Sequence, residues 1–234
     1  MKRAILAELF TACRDQKPAA LVTVLASGQQ TVVYPHTDPA STALAATTAH
    51  AAQEALRKDR SGVVETADGS LFIHVLAPPP RMLIVGAVHI AQALAPMADL
   101  AGYEVTVIDP RRAFATAERF PSCNLVTEWP ERALPRLAPD RRTAIVTLTH
   151  DQKLDEPALR LALQSDAFYI GALGSKKTQA ARRERLTHSG LNEHALVRIH
   201  GPAGLDVGAK TPAEIAISIM AEVTQALRQR RPAA

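Results

Sequence analysis

Met82-Leu-Ile-Val-Gly86-Ala-Val88-His89-Ile-Ala91, continued by Tyr103-Glu-Val-Thr-Val-Ile-Asp109-Pro110, is the stretch that decides the fold. An apolar run that breaks on a glycine, an amphipathic stretch and a second apolar run ending in a carboxylate read as strand, tight turn, helix and strand. This is the first unit of a Rossmann-like doubly wound α/β fold. One residue departs from the G-x-G-x-x-G/A pattern. Val88 occupies the place of the middle glycine, whose missing side chain normally lets a pyrophosphate approach the backbone. Asp109 stands where a carboxylate accepts a ribose hydroxyl, or else it is a turn residue before Pro110.

Working outward toward the C-terminus, strands and helices keep alternating, which predicts a parallel sheet. The strands expected are Met82 to Val85, Glu104 to Ile108, Leu125 to Thr127, Ala144 to Leu148 and Ala167 to Ile170. Pro96 inside the first helix is expected to kink it or to admit a water into its ladder. The last helix has the clearest start, with Thr211 as cap, Pro212 in the first turn and Glu214 completing a capping box.

Toward the N-terminus, Pro78-Pro79-Pro80-Arg81 favours an extended backbone and marks a domain boundary. Residues 1–77 then form a small α+β domain, 78–81 a linker, and 82–234 the Rossmann-like domain. In the first segment Ile5, Leu6, Leu9 and Phe10 fall at helical spacing, and Ala19 to Ala26 and Thr31 to Pro35 read as strands. An alanine-rich helix is expected from Thr37-Asp38-Pro39 through Ala43, Ala46, Ala49, Ala52 and Leu56 toward Lys58. Val63 to Thr66 and Leu71 to Leu76 make a hairpin across Asp68-Gly69.

In an open α/β sheet, ligands bind beyond the carboxyl ends of the strands, where the strand order reverses. The loops expected there are Gly86 to His89, Thr149-His150-Asp151 and Gly171-Ala-Leu-Gly174-Ser175. The third leads into Lys176-Lys177, two cations in a first helical turn where the dipole disfavours them unless an anion is bound. An exposed basic helix continuing through Arg182, Arg183 and Arg185 is the plainer alternative. His150 and Asp151, with Asp155 four residues on, could form an acid/base pair or part of a metal site, or Asp151 or Asp155 could simply start a helix. His89 at the start of the first helix reads as a neutral hydrogen-bonding imidazole or a surface residue. The glycine-rich segment from Arg198 to Pro212 either packs over the crevice as a lid or only connects helices.

Composition narrows the classes of function. Of the 234 residues 47% are hydrophobic and 21% charged, the balance of a globular chain and not a disordered one. The net charge of +4 and an aromatic content of 4% give no nucleic-acid signature. Cys13 and Cys123 lie far apart without zinc spacing, so no metal site is expected and a reducing cytoplasm suits them. Glu8, Arg14 and Asp15 interrupt the early apolar residues, which speaks against a secretory signal, and no run is long enough to cross a membrane. No nucleophile elbow supports hydrolase chemistry.

Ala77-Pro-Pro-Pro-Arg-Met-Leu-Ile-Val-Gly86-Ala-Val-His89, Val107-Ile-Asp109-Pro-Arg111, Leu148-Thr-His150-Asp151, Tyr169-Ile-Gly-Ala-Leu-Gly-Ser175 and the stretch from Ile199 to Ile217 together resemble the C-terminal domain of the XdhC family. Members are accessory proteins of molybdenum hydroxylases such as xanthine dehydrogenase and carbon monoxide dehydrogenase. The resemblance implies a chaperone that holds molybdenum cofactor, a pyranopterin dithiolate with a terminal phosphate, and assists its insertion into the apoenzyme, working as a dimer alongside cofactor-maturation proteins. Gly86, His89, Asp109, His150, Asp151, Gly171, Gly174, Ser175 and Lys176 are the implied cofactor-binding residues, with His150 and Asp151 the candidates for any catalytic role. The serine-glycine-glycine-cysteine motif of typical N-terminal domains is not reproduced before Pro78. The alternatives are an NAD(P)-dependent oxidoreductase, against which Val88 speaks, and a regulatory scaffold with a vestigial crevice.

Overall fold

The computed structural model describes residues 2–36 and 45–229, and the chain divides into two compact units, one ending at Pro78 and the other running from Pro79 to Gln229. In the first, helix α1 (Arg3–Arg14) is followed by strands β1 (Ala19–Val24) and β2 (Gln30–Val33), helix α2 (Ala46–Lys58) and the hairpin β3 (Gly62–Thr66) and β4 (Gly69–Leu76). They form an antiparallel sheet in the order β2-β1-β4-β3. Alternation along β1 sends Ala20 and Val22 to a core with Ala52 and Leu56 of α2, and Ala19 and Leu21 to a second core with Leu9 and Ala12 of α1. Burial on both faces explains why β1 reads as a continuous apolar run. The alanine-rich helix is described from Ala46, so the expected start at Thr37-Asp38-Pro39 and Ala43 lies outside the described residues.

The second unit contains β5 (Arg81–Val85), α3 (His89–Leu100), β6 (Glu104–Ile108), β7 (Asn124–Val126), α4 (Pro130–Leu137), β8 (Thr143–Thr147) and α5 (Gln152–Gln164), then β9 (Tyr169–Ala172), α6 (Lys176–His188), α7 (Glu193–Leu196), β10 (Ile199–His200) and α8 (Pro212–Arg228). All six strands are parallel, in the order β10-β9-β8-β5-β6-β7. The order reverses between β5 and β8, and the two chain directions away from that point leave a crevice above the sheet.

Met82, Ile84, Val107 and Val146 pack under α3 and α8, while Leu83, Val85, Ile145 and Ile170 pack under α4 and α5. Helix α3 continues through Pro96, whose ring lies on its exposed side, so the lost ladder bond faces water. Helix α8 begins with the full capping box, Thr211 accepting from the Glu214 N–H and Glu214 accepting from the Thr211 N–H. Among the described helices none is long and apolar enough to cross a membrane.

Two boundaries differ from expectation with consequences for the site. Strand β9 extends through Ala172, so Gly171 belongs to the strand and the turn falls at Leu173-Gly174. The short strand β10, absent from the expected set, pairs with β9 and carries the chain to the same edge of the sheet.

Candidate functional site

Each strand end at the switch point is held by side chains that the chain itself supplies. Gly86 takes a φ of 112°, and a Cβ there would collide with the methyl group of Thr149, so the turns after β5 and β8 can meet only because residue 86 is glycine. Asp109, at the end of β6, is fully buried. Its carboxylate accepts from the Ala87 N–H at 2.8 Å, the Arg111 N–H at 2.9 Å and the Arg111 guanidinium at 2.7 and 2.9 Å. Burial pushes its pKa up, but the Arg111 side chain and the two backbone donors outweigh burial and hold it below the usual value. A carboxylate bonded in this way within the chain ties β6 to the β5 turn, the part that the turn-residue reading of Asp109 gives it.

The β8 loop is built on a second buried carboxylate. Asp155 accepts from the Thr149 hydroxyl at 2.6 Å, the Thr149 N–H at 3.3 Å, the His150 N–H at 3.1 Å and Arg182 of α6 at 3.4 Å. Burial is the largest influence on both partners, raising the Asp155 pKa and lowering that of Arg182. Arg182 also donates to Gln179 and to the Leu173 carbonyl, so one ionic hub holds the β8 loop and the β9 turn together. His150, with φ of 60°, is the exposed residue that this hub presents. Asp151 caps α5 by accepting from the Lys153 N–H at 2.9 Å. Among the described residues no group of three metal-type ligands occurs, so the metal reading of His150, Asp151 and Asp155 does not assemble.

The glycine-rich segment after β10 folds back over the sheet. Ala203 N–H donates to the Ala172 carbonyl, Gly204 N–H to the Glu222 carboxylate and Leu205 N–H to the Ser218 carbonyl, at 3.0, 2.7 and 3.1 Å. Glu222 of α8 also accepts from the Tyr169 hydroxyl at 2.6 Å and lies 2.8 Å from His200 Nδ1. Burial and the Glu222 carboxylate push the Tyr169 phenol far up. Gly171 is explained here, because a Cβ at that position would sit 2.7 Å from the Tyr169 ring.

Between this segment, the β9 turn and the starts of α3 and α8 lies a crevice of about 590 Å³. Its walls include Ile90, Leu173 and Ile215 on the apolar side, and His150, Lys176 and Asp206 on the polar side. Lys176 belongs to the first turn of α6, where Ser175 caps the helix by accepting from the Thr178 N–H. Among the described residues neither Lys176 nor Asp206 has a hydrogen-bonding or ionic partner for its side chain.

Residues 82–223 match the family model described as the XdhC Rossmann domain. The chain belongs to the XdhC family. It is 34% identical over 157 residues to a Bacillus subtilis (strain 168) protein named as a probable xanthine dehydrogenase subunit, covering 67% of this chain and 46% of that protein. It is 30% identical over 146 residues to the molybdenum cofactor insertion chaperone PaoD of Escherichia coli (strain K12), covering 62% and 40%. The chain thus spans less than half the length of the curated relatives it matches. A crystal structure described as a xanthine dehydrogenase from Bacillus halodurans superposes with a TM-score of 0.72 at 25% identity, over 98% of this chain and 65% of its own.

Of the residues expected at the XdhC site, His150, Gly174, Ser175 and Lys176 line the crevice. Gly86, Asp109 and Gly171 are buried supports beneath it, Asp151 is a helix cap, and His89 is exposed at the α3 start outside the lining. Sequence reasoning missed Glu222 and placed Arg182 only on an exposed basic helix, whereas Arg182 is buried; Glu222 meets Gly204 and Tyr169, and Arg182 meets Asp155, across 18 to 53 residues of chain. The one signal in the sequence for the second wall of the XdhC crevice is the glycine-rich approach to the Thr211 cap.

Proposed function

We propose that this chain is a maturation factor, without turnover of its own, that holds molybdenum cofactor in the crevice and assists its insertion into a molybdenum hydroxylase of the xanthine dehydrogenase or carbon monoxide dehydrogenase type. The observation that carries the reading is the crevice itself, which joins apolar walls to a free cation at a capped helix start. A terminal phosphate suits the first turn of α6, which offers backbone N–H groups and carries Lys176 on the crevice lining. Ile90, Leu173 and Ile215 suit the flat body of a pterin, and His150 offers a hydrogen bond at the rim. When bound, the cofactor brings the dithiolate that carries molybdenum. The chain's part is to bind it, orient it and keep water from it.

PaoD, named as a molybdenum cofactor insertion chaperone, supports this reading by kinship. Nicotinamide chemistry is disfavoured by Val88 at the α3 cap and by the fully bonded Asp109 carboxylate. The free thiols Cys13 and Cys123 suit a reducing cytoplasm, where the factor would act as a dimer that delivers to the apo-hydroxylase. The protein purified from cells that make molybdenum cofactor is expected to carry molybdopterin, seen by its fluorescence after oxidation. Absence of any pterin, together with unchanged hydroxylase activity in a strain lacking the protein, would sink the reading.

A further inference from the structure

Asp206 is the single carboxylate among the described residues lining the crevice, and it occupies the wall formed by the segment after β10. The three residues immediately before it are held fast, since the N–H groups of Ala203, Gly204 and Leu205 donate to β9, Glu222 and Ser218 in turn. Gly204 is required there, because its φ is 99° and a Cβ would collide with the Ser218 hydroxyl. Val207 N–H then folds back to the Leu205 carbonyl at 2.9 Å, so Asp206 sits at the apex of a tight turn whose base is pinned to the sheet and to α8. An acidic side chain on the wall of a crevice proposed to seat a phosphate needs a reason, since it lowers the affinity for anything wholly anionic.

We propose that Asp206 reads the pyrimidine edge of the pterin, its carboxylate accepting one hydrogen bond from the 2-amino group and one from N3–H. The inference rests on the cofactor-holding function argued above and adds the group that selects the heterocycle. Charge decides the assignment. The phosphate and the dithiolate of the ligand are anionic and are repelled by Asp206, whereas the pyrimidine edge presents two adjacent donors that match two carboxylate oxygens. Lys176 and the α6 start take the phosphate, Asp206 takes the donor edge, and the apolar walls hold the ring between them. A ligand that binds in this orientation is selected for its 2-amino group. A 2-oxo analogue turns an acceptor toward the carboxylate and is rejected.

The test uses the full chain and two fluorescent probes, 6-hydroxymethylpterin phosphate and the corresponding lumazine phosphate, which has a 2-oxo group in place of the 2-amino group. Wild-type protein is expected to bind the pterin probe at least about tenfold more tightly than the lumazine probe. Asp206→Asn presents one acceptor and one donor and is expected to reverse that order, while Asp206→Ala abolishes the preference without reversing it. Circular dichroism of both variants is the control for retention of the wild-type fold. Equal binding of the two probes by wild type, or an unchanged preference in Asp206→Asn, overturns the role of Asp206 alone, provided molybdopterin still binds. If wild type binds neither probe nor molybdopterin, the cofactor-holding function falls and the role of Asp206 falls with it.

Discussion

Asp109 shows how a residue can be conspicuous in sequence for one reason and necessary in structure for another. Its place at the end of β6 is the place of a ribose acceptor, and that much is legible because strand ends in this fold are legible. What sequence spacing does not reveal is that Arg111, two residues on, turns back onto the same carboxylate. The Asp109→Asn variant keeps shape but loses the charge and one acceptor. Arg111 is 38% exposed and can rehydrate, so the cost lies mainly in the buried Ala87 N–H and is expected at about 2 kcal/mol by urea denaturation near pH 7. Because the folded pKa of Asp109 lies below the ordinary value of 3.8, its contribution is complete above that value and is lost as pH falls through the folded one. The stability difference between wild type and Asp109→Asn should therefore shrink below about pH 4. A difference that is constant with pH would show that the carboxylate charge plays no part.

At the scale of elements, the start of α8 is legible to the residue because a capping box is a local device, three positions apart and independent of tertiary partners. Helix α6 was legible only in its start. Its sequence is polar nearly all round, and the two residues it buries are Leu186 and Arg182, the second of which no periodicity rule would place inside. Arg182 is tolerated there because Asp155, Gln179 and the Leu173 carbonyl together take its donors. Arg182→Met is expected to cost about 3 kcal/mol, since it strands the Asp155 carboxylate in the core. Without Arg182, burial raises the Asp155 pKa further, so the penalty should be larger at pH 7 than at pH 4, a pH dependence that lost packing alone would not produce. A penalty independent of pH would place the cost in that packing. The first turn of α6 makes a separate prediction. Lys176 lines the crevice and Lys177 does not, so Lys176→Glu should weaken binding of the pterin phosphate by about tenfold or more while Lys177→Glu changes it only slightly, a contrast readable by fluorescence titration. Equal losses in the two variants would mean that general charge, and not a phosphate seat, governs binding.

For the whole molecule, alternation of apolar runs and helices is enough to foresee a parallel sheet, but not which strands are neighbours. Strand order depends on contacts far apart in sequence, and the reversal between β5 and β8 that opens the crevice is one of them. The same limit left the second wall open between a lid and a plain connection, because the segment from 201 to 209 has no regular period and takes its position from Ala172, Ser218 and Glu222. Yet every residue of the crevice and of its supports lies between Gly86 and Glu222, and the two hydrophobic clusters of this unit draw only on residues from Met82 onward. A unit with its own core and a site made only of its own residues should be autonomous. Residues 79–229 produced alone are expected to unfold in one cooperative transition and to bind the pterin phosphate within about threefold of the full chain, since a difference under roughly 0.7 kcal/mol is what no lost contact implies. A folded fragment that fails to bind would show that the first unit contributes directly to the ligand. Retention of binding would leave the first unit, with its own sheet and two cores, for a task other than holding the cofactor.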